Sequence, residues 1–253
     1  MKTALTIAGS DPTGGAGLQA DLKVFRAFGI HGCAVVSAIT AQSSEGVDSL
    51  LPVERDFIER QLHVLLSDIR PHAVKLGMLY NVTTVELVAE VFKNYPLKNL
   101  VIDPVIRSSS GMNLVEDGML DVLRKTLFPL SRVITPNIHE ASVLTGTKIE
   151  DKKGMEDAGK ILRDMGPEVI VITGGHLNDT ALDLYYDGEF HILEGIKMTG
   201  EYHGTGCVFS AAITALLALD HSPLEAVKRA KEFTKNALEG AYRLGRGMAF
   251  LYL

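Results

Sequence analysis

A short segment that ends in a thiol, residues 203–207 (HGTGC), stands directly before an apolar helical pattern. The backbone amides of residues 204–207 (Gly204, Thr205, Gly206 and Cys207) would begin that helix without partners, at the positive end of its dipole. Such a nest of amides can hold a phosphoryl group while charge spreads over its oxygens. The same position should lower the pKa of the Cys207 thiol and make it a stronger base or nucleophile. The alternative is a buried, inert cysteine, and the glycine-rich helix start favours the functional role.

A second glycine-rich segment, residues 9–17 (GSDPTGGAG), opens an amphipathic helix. Glycine lets the backbone approach a ligand, and a helix start favours anions, although a structural turn explains the segment equally well. Asp21 falls on the apolar stripe of this helix, where a carboxylate is costly unless it has a partner. It is either paired within the protein or directed into a pocket, where it would accept hydrogen bonds from a ligand. We favour the pocket, because Gly9 and Gln42 should lie at the same edge of the predicted sheet.

An acidic and amide set is formed by Asp103, Asn137 and Glu140. Asn137 and Glu140 have the spacing of a helix capping box, which is one explanation for both residues. Together with Asp103 at a neighbouring strand end, they could instead hold Mg²⁺ through water.

The elements that position these residues alternate regularly along the chain. Short, continuous apolar runs bounded by Gly, Pro, Asn or Asp predict strands that are covered on both faces. Strands that alternate with amphipathic helices predict a parallel sheet between two helical layers. A turn at Asp187-Gly188 predicts a β-hairpin within residues 181–193. The predicted strands are 4–8, 33–40, 73–76, 100–102, 132–135 and 169–173, and the predicted helices are 15–28, 54–68, 82–94, 116–127, 138–145, 152–165, 205–219 and 222–243.

Unusual polar or small residues follow one predicted strand after another. Ligands of open parallel sheets bind outside the carboxyl ends of the strands. Six such strand ends in series favour a binding site along one edge over loops that merely contain Gly, Asp and Asn. These strand ends begin at Gly9, Thr40, Gly77, Asp103, Pro136 and Gly174.

Composition limits the class of protein. The 253 residues are 46% apolar with a net charge of −6, and we expect one domain over residues 1–253. The acidic balance argues against nucleic acid as a partner. The apolar run at 207–219 is shorter than the roughly 20 residues of a membrane helix, so we expect no membrane partner. Cys33 and Cys207 are too few for a disulfide scaffold, and no secretory signal begins the chain, which predicts a cytoplasmic protein.

Taken in order, these motifs resemble those of the ribokinase superfamily, and in particular the hydroxymethylpyrimidine/phosphomethylpyrimidine kinases of thiamine biosynthesis. The resemblance covers most of the chain and is specific as a set. It implies a three-layer α/β/α fold with a mostly parallel central sheet. The motifs that carry it are residues 8–21, 40–42, 75–79, 103–105, 135–140, 174–176 and 203–207.

The resemblance also implies an activity: ATP- and Mg²⁺-dependent phosphorylation of 4-amino-5-hydroxymethyl-2-methylpyrimidine and then of its monophosphate. Cys207 would take the hydroxymethyl proton, with the amides of Gly204, Thr205 and Gly206 as the anion hole. The metal would lie at Asp103 and Glu140. Relatives are often dimers, which predicts a homodimer. The positions matching the pyrimidine pocket are Gly9, Asp21, Gln42, Met78 and Val105, and those matching the nucleotide side are Asp103, Asn137, Thr173, Gly174 and Gly175.

Two positions depart from the family pattern. Thr173 stands where the family usually has a lysine suited to nucleotide phosphates, and Ser43-Ser44 replaces a more usual Asn-Thr pair. Another lysine could supply the charge, or the second phosphorylation could be weak. Pyridoxal or pyridoxine phosphorylation is an alternative activity, because that ring and hydroxymethyl group are similar. A non-catalytic protein that only binds the pyrimidine is a further alternative, whereas a dehydrogenase is excluded because no Gly-x-Gly-x-x-Gly follows a strand.

Overall fold

A large sheet lies at the centre of the computed structural model, which describes residues 1–95, 97–174, 182–195 and 198–253. Over these ranges nine strands join in the order β3-β2-β1-β4-β5-β6-β7-β8-β9. They are β1 (Thr3–Ser10), β2 (His31–Ser43), β3 (Gly46–Pro52), β4 (Ala73–Leu76), β5 (Leu100–Ile102), β6 (Val133–Ile134), β7 (Val169–Gly174), β8 (Leu182–Tyr186) and β9 (Phe190–Leu193).

The sheet is mostly parallel, as predicted. Every neighbouring pair from β2 to β7 runs parallel, while β3 at one edge and β8 and β9 at the other pair antiparallel. Two further strands, β10 (Tyr202–His203) and β11 (Ala249–Phe250), pair with each other in parallel.

Helices cover both faces of the sheet and form two separate cores. Strand residues alternate between them: Leu5 and Ile7 of β1 face one core, and Ala4 faces the other. The first core contains helices α2 to α6, and the second contains α1, α7 and α8. The predicted three-layer α/β/α architecture is therefore confirmed. The helices are α1 (Gly17–Ala27), α2 (Arg55–Asp68), α3 (Val82–Asn94), α4 (Met119–Thr126), α5 (Ile138–Thr145), α6 (Lys152–Asp164), α7 (Thr205–Ala218) and α8 (Pro223–Glu239).

Helix α7 is apolar and buried from Val208 to Ala218. It lies between α1 and α8 and packs on β1, β4 and β5 of the sheet. This burial fixes its amino end at the carboxyl edge of the central strands. Among the described helices none combines the length and the apolar character needed to cross a membrane.

The structure adds elements that the sequence pattern did not predict. Strand β3 was missed because an edge strand with one exposed face lacks the continuous apolar run of the central strands. Strands β10 and β11 contain two residues each, which is too short for any periodicity. The hairpin at Asp187-Gly188 is confirmed by the β8–β9 pair, although Ala181 lies outside the described residues. Helix α8 ends at Glu239, before Gly240, rather than at 243.

Candidate active site

A large cavity runs along the carboxyl ends of the parallel strands, where the sequence predicts a site. Most of the predicted residues meet there. Asp21 and Gly174 are not among the lining residues, and Gly175 lies outside the described residues. The predicted residues that line the cavity are Gly9, Gln42, Met78, Asp103, Val105, Asn137, Glu140, Thr173, Gly204, Thr205, Gly206 and Cys207.

The loop between β1 and α1 is organised by a carboxylate that motif analysis did not single out. Asp11 accepts hydrogen bonds from the backbone amides of Thr13 and Ala16, both at 2.8 Å, and its Oδ2 lies 2.8 Å from Nε2 of His203. Burial acts to raise the pKa of Asp11, but the bonds from His203 and Thr13 outweigh it and hold that pKa below its usual range. The carboxylate therefore joins the first glycine-rich loop to the strand that precedes the second.

The two glycine-rich loops touch through their backbones. Gly204 has a φ of +84°, and a Cβ at this position would lie 2.0 Å from the carbonyl oxygen of Gly15. Only glycine fits both the conformation and the contact. The backbone amides of Thr205, Gly206 and Cys207 begin α7 and have no hydrogen-bond partner in the described parts of the chain. The structure therefore contains the predicted nest of amides at the positive end of the α7 dipole.

A buried lysine lies beneath the cavity floor. Lys75 of β4 is fully buried, and its Nζ lies 2.8 Å from Asp21 Oδ1 and 4.0 Å from Asp103 Oδ2. Thr6 donates a 2.6 Å hydrogen bond to the other oxygen of Asp21. Both oxygens of Asp21 therefore have partners within the protein, and its direct contact with a ligand stays a prediction. Burial would lower the pKa of Lys75, but the charges of Asp21, Cys207 and Asp103 outweigh it and raise that pKa.

The thiol of Cys207 behaves differently from the prediction. Burial, together with the charges of the Asp103 and Asp21 carboxylates, raises the pKa of Cys207 to about 12. Lys75 and the backbone amide of Gly17 act in the opposite direction and are outweighed. The expected lowering by the helix dipole is therefore wrong for the ligand-free protein, because desolvation and two nearby negative charges dominate at this position.

The predicted acidic and amide residues, Asp103, Asn137 and Glu140, line the same cavity as the amide nest. Asp103 follows β5 and accepts a 2.9 Å hydrogen bond from Ser210 of α7. Asn137 and Glu140 form the predicted capping box, with both reciprocal hydrogen bonds at 2.9 Å. Burial, and then the charge of Asp103, raise the pKa of Glu140 to about 8. Burial likewise raises the pKa of Asp103, to which the charge of Asp21 contributes.

This donor set fits a hydrated divalent cation. Two buried carboxylates with raised pKa values, Asp103 and Glu140, are stabilised as anions by a nearby positive charge. The part of the chain that the structure describes contains no group of three or more His, Cys, Asp or Glu side chains that could hold a metal. Mg²⁺ suits a pair of this kind because it keeps several water ligands.

The side of the cavity where the sequence predicts the nucleotide contains a lysine of helix α8. Thr173 of β7 forms a bridge with Asn137 and lies opposite Asp183 of β8. Asp183 accepts a 2.6 Å bond from Lys231 of α8 and a 3.0 Å bond from the amide of Gly174. Lys231 lines the cavity together with Thr173. The sequence predicted α8, with an end at 243 instead of Glu239, but nothing in its pattern indicated that its lysines line the cavity.

Another part of the cavity is lined by apolar side chains. A Cβ on Gly9 would lie 2.2 Å from Cε of Met78, so the glycine makes room for the methionine. Met78 packs in a small cluster with Ala38 and Leu114, against which Val105 lies. These contacts build an apolar wall within the same cavity as the thiol.

The three-layer sheet, with an amide nest at a buried helix start and a thiol beside it, is a ribokinase-like fold. More narrowly, the chain belongs to the phosphomethylpyrimidine kinase family, whose sequence profile matches residues 11–251.

Two relatives and one solved structure are similar to this chain over nearly its whole length. The chain is 43% identical to the thiamine biosynthetic bifunctional enzyme TH1 of Arabidopsis thaliana over 93% of its own length, and it spans about half (46%) of that relative. It is 40% identical to a hydroxymethylpyrimidine/phosphomethylpyrimidine kinase of Staphylococcus aureus, over 97% of this chain and 91% of that protein. The ADP complex of Bacillus subtilis pyridoxal kinase superposes with a TM-score of 0.92 at 39% identity, over 99% of this chain and 96% of that one.

Proposed function

We propose that this chain transfers a phosphoryl group from ATP to the hydroxymethyl oxygen of 4-amino-5-hydroxymethyl-2-methylpyrimidine, and then to the resulting monophosphate, for thiamine diphosphate biosynthesis. The observation that carries the proposal is one cavity that contains an amide nest with Cys207 and, in another part, the apolar wall of Gly9 and Met78 beside Gln42. The first part suits a phosphoryl group and the second a small heteroaromatic ring. The similarity to the S. aureus kinase supports the same substrate.

In this mechanism Cys207 Sγ is the base for the hydroxymethyl proton. The thiol first gives its own proton to solvent in the cavity that it lines, and a pKa of about 12 makes the thiolate rare in the ligand-free protein but strongly basic once formed. Lys75 favours the thiolate because its charge lies beneath the same cavity floor. The amides of Thr205, Gly206 and Cys207 receive the negative charge that spreads over the transferred phosphoryl oxygens.

In this proposal the nucleotide binds where the cavity passes the ends of β6 and β7. Asn137 and Thr173 line the cavity and would contact its phosphates, and Lys231 adds a positive charge at that edge. Gly174, outside the cavity lining, and Gly175, outside the described residues, stay predicted nucleotide contacts. Asp103 and Glu140 would hold Mg²⁺ through water, and the ion would supply positive charge to the ATP phosphates.

A second candidate activity is phosphorylation of pyridoxal. The superposition with the B. subtilis pyridoxal kinase favours it, since the two backbones agree over nearly the whole of both chains with a TM-score of 0.92. Both substrates present a hydroxymethyl group on a nitrogen heterocycle, so the same base and amide nest would serve either.

A substrate panel tests the proposal. The protein is incubated with ATP and Mg²⁺ and with the pyrimidine alcohol, its monophosphate or pyridoxal, and ADP release and phosphorylated products are measured. We expect the highest kcat/KM with the pyrimidine alcohol, and Cys207→Ala serves as the inactive control. Preference for pyridoxal would establish the second candidate, and binding of the pyrimidine without ADP release would show a non-catalytic binding protein.

The proposal extends to the assembly and location of the protein. We propose one catalytic domain over residues 1–253 that acts in the cytoplasm as a homodimer. The apolar side chains of Ile39 and Leu51 support the dimer, because they pair across β2 and β3 and are 50% and 66% exposed. Light scattering during gel filtration should give twice the mass of the chain, and Ile39→Asp with Leu51→Asp should return it to a monomer.

A further inference from the structure

A glutamine in the cavity wall is held between two other side chains. The structure places Nε2 of Gln42 2.9 Å from Nε2 of His203 and Oε1 of Gln42 3.2 Å from Oγ1 of Thr40. All three residues line the cavity, and His203 is only 4% exposed. A glutamine amide can occupy the same space in two orientations that exchange its oxygen and its nitrogen, so its partners decide which one forms.

His203 supplies the first constraint. Its Nε2 also lies 2.8 Å from Oδ2 of Asp11, and the pKa of that carboxyl is held below its usual range, so Asp11 is an anion that can only accept. Nε2 must therefore carry a hydrogen and donate it toward Asp11. An N–H of Gln42 directed at the same nitrogen would meet that hydrogen, whereas the Gln42 oxygen can share it.

Thr40 supplies the second constraint, independently of the first. Its hydroxyl has one hydrogen, and it donates that hydrogen to the carbonyl oxygen of Ser10 at 2.9 Å. Thr40 Oγ1 then has lone pairs left but no second hydrogen for the Gln42 oxygen. An N–H of Gln42 fits this position, which again directs the amide nitrogen to Thr40 and the oxygen to His203.

We propose that His203 and Thr40 are positioning residues that fix the Gln42 amide with its oxygen toward His203 and its nitrogen toward Thr40, and thereby set the pyrimidine specificity of the cavity. Each amide atom then uses one of its two hydrogen-bonding sites within the protein. One N–H and one oxygen lone pair remain for a substrate. This inference rests on the proposed function, since it assigns how the substrate of that same site is selected.

The order of the two remaining groups decides which ring binds. A 4-aminopyrimidine presents an acceptor nitrogen beside a donor amine, whereas its 4-oxo analogue presents a donor N–H beside an acceptor oxygen. A freely turning glutamine matches both, because it can exchange its donor and acceptor. A fixed glutamine matches one and leaves the other with unpaired buried groups, which strongly disfavours binding.

The experiment compares kinase activity on the 4-amino and 4-oxo forms of the 5-hydroxymethyl-2-methylpyrimidine alcohol. The parent should prefer the amino form. His203→Leu and Thr40→Val should each lower the amino-to-oxo ratio of kcat/KM by about tenfold, mainly through KM for the amino form, with little change in KM for ATP. The conservative variants His203→Gln and Thr40→Ser keep a donor and a hydroxyl at these places and should restore most of the ratio.

His72→Leu and Thr126→Val are matched controls, because His72 bonds to Thr3 at the opposite end of β1 and Thr126 bonds within α4. An unchanged amino-to-oxo ratio in both His203→Leu and Thr40→Val would overturn the inference.

Nuclear magnetic resonance of the parent protein tests the orientation of the Gln42 amide without any variant. The Gln42 side-chain amide hydrogens should show a nuclear Overhauser effect to the Thr40 methyl group. Contacts to the His203 ring instead would overturn it. A parent that phosphorylates neither pyrimidine refutes the proposed function alone, since the resonance experiment still tests the orientation.

Discussion

The ammonium group of Lys75 lies 2.8 Å from the Asp21 carboxylate, and both side chains are completely buried. Such a pair gives up the hydration of two ions, and their mutual attraction offsets that loss only while both are present. Asp103 Oδ2 lies 4.0 Å from the same lysine nitrogen, and both Asp103 and Cys207 line the cavity, so the pair connects the core of the sheet to the cavity.

The first prediction concerns stability. Lys75→Met should lower the free energy of unfolding by about 3–5 kcal/mol, because it leaves the Asp21 charge buried without its partner. The double variant Lys75→Met with Asp21→Leu should recover much of that loss, since neither charge then remains. Urea denaturation followed by circular dichroism gives both values. Additive losses in the double variant would show that the two side chains do not interact energetically.

The second prediction concerns the base. Cys207→Ala should reduce kcat by roughly 10²–10⁴-fold with little effect on pyrimidine affinity, because a general base acts in the transition state. Cys207→Asp should recover part of the rate, since a carboxylate can also accept the proton. Steady-state kinetics with calorimetric titration of the pyrimidine separates the two effects. Near-parental turnover by the alanine variant would assign the base to another group.

The third prediction concerns the reactivity of the same thiol as a function of pH. Only the thiolate reacts with iodoacetamide, and the pKa of Cys207 is raised to about 12. The alkylation rate should therefore rise about tenfold for each pH unit between pH 7 and 9. Mass spectrometry of digested samples resolves Cys207 from Cys33. A rate that levels off near pH 8 would contradict the raised pKa.

The fourth prediction follows from Glu140. The pKa of this carboxyl is raised to about 8 in the folded protein from an ordinary value of 4.5. Between these values the folded state binds the proton and the unfolded state does not, so stability should fall as pH rises, by at most about 1.4 kcal/mol per pH unit. Glu140→Gln should flatten this dependence in denaturation measured from pH 5 to pH 8. Equal slopes in parent and variant would mean that Glu140 does not titrate in this window.

The fifth prediction concerns Thr173, which stands where the family usually has a lysine. The second phosphorylation brings two anionic substrates together, so a weaker positive field should slow it more than the first. Lys231→Met should therefore slow the second step preferentially, and Thr173→Lys should accelerate it severalfold. Single-turnover assays on the alcohol and the monophosphate measure both steps. If Thr173→Lys leaves the second step unchanged while Lys231→Met slows it, Lys231 already fills the role of the absent lysine.

The sequence predicted the sheet and most of the residues that meet in the cavity, because the order of strands and the polar strand ends are local signals. It did not predict the partner of Asp21. A lysine within the otherwise apolar β4 was an available signal, since a buried cation requires a nearby anion. The link from Asp11 to His203 joins residues 192 positions apart and has no local signature. The direction of the Cys207 pKa shift depends on the burial of the thiol and on the two carboxylates near it. Neither can be predicted from the spacing of residues in the sequence.

The contact between Gly204 and Gly15 has a consequence for how this site can change over generations. The proposed phosphoryl site consists of backbone amides, and an amino-acid substitution replaces a side chain while it leaves the backbone amide in place. Single amino-acid substitutions near the amide nest can therefore change the catalytic base or the ring pocket without changing the nest itself. A change of Gly204, by contrast, would need a coordinated shift of two segments nearly two hundred residues apart in the chain.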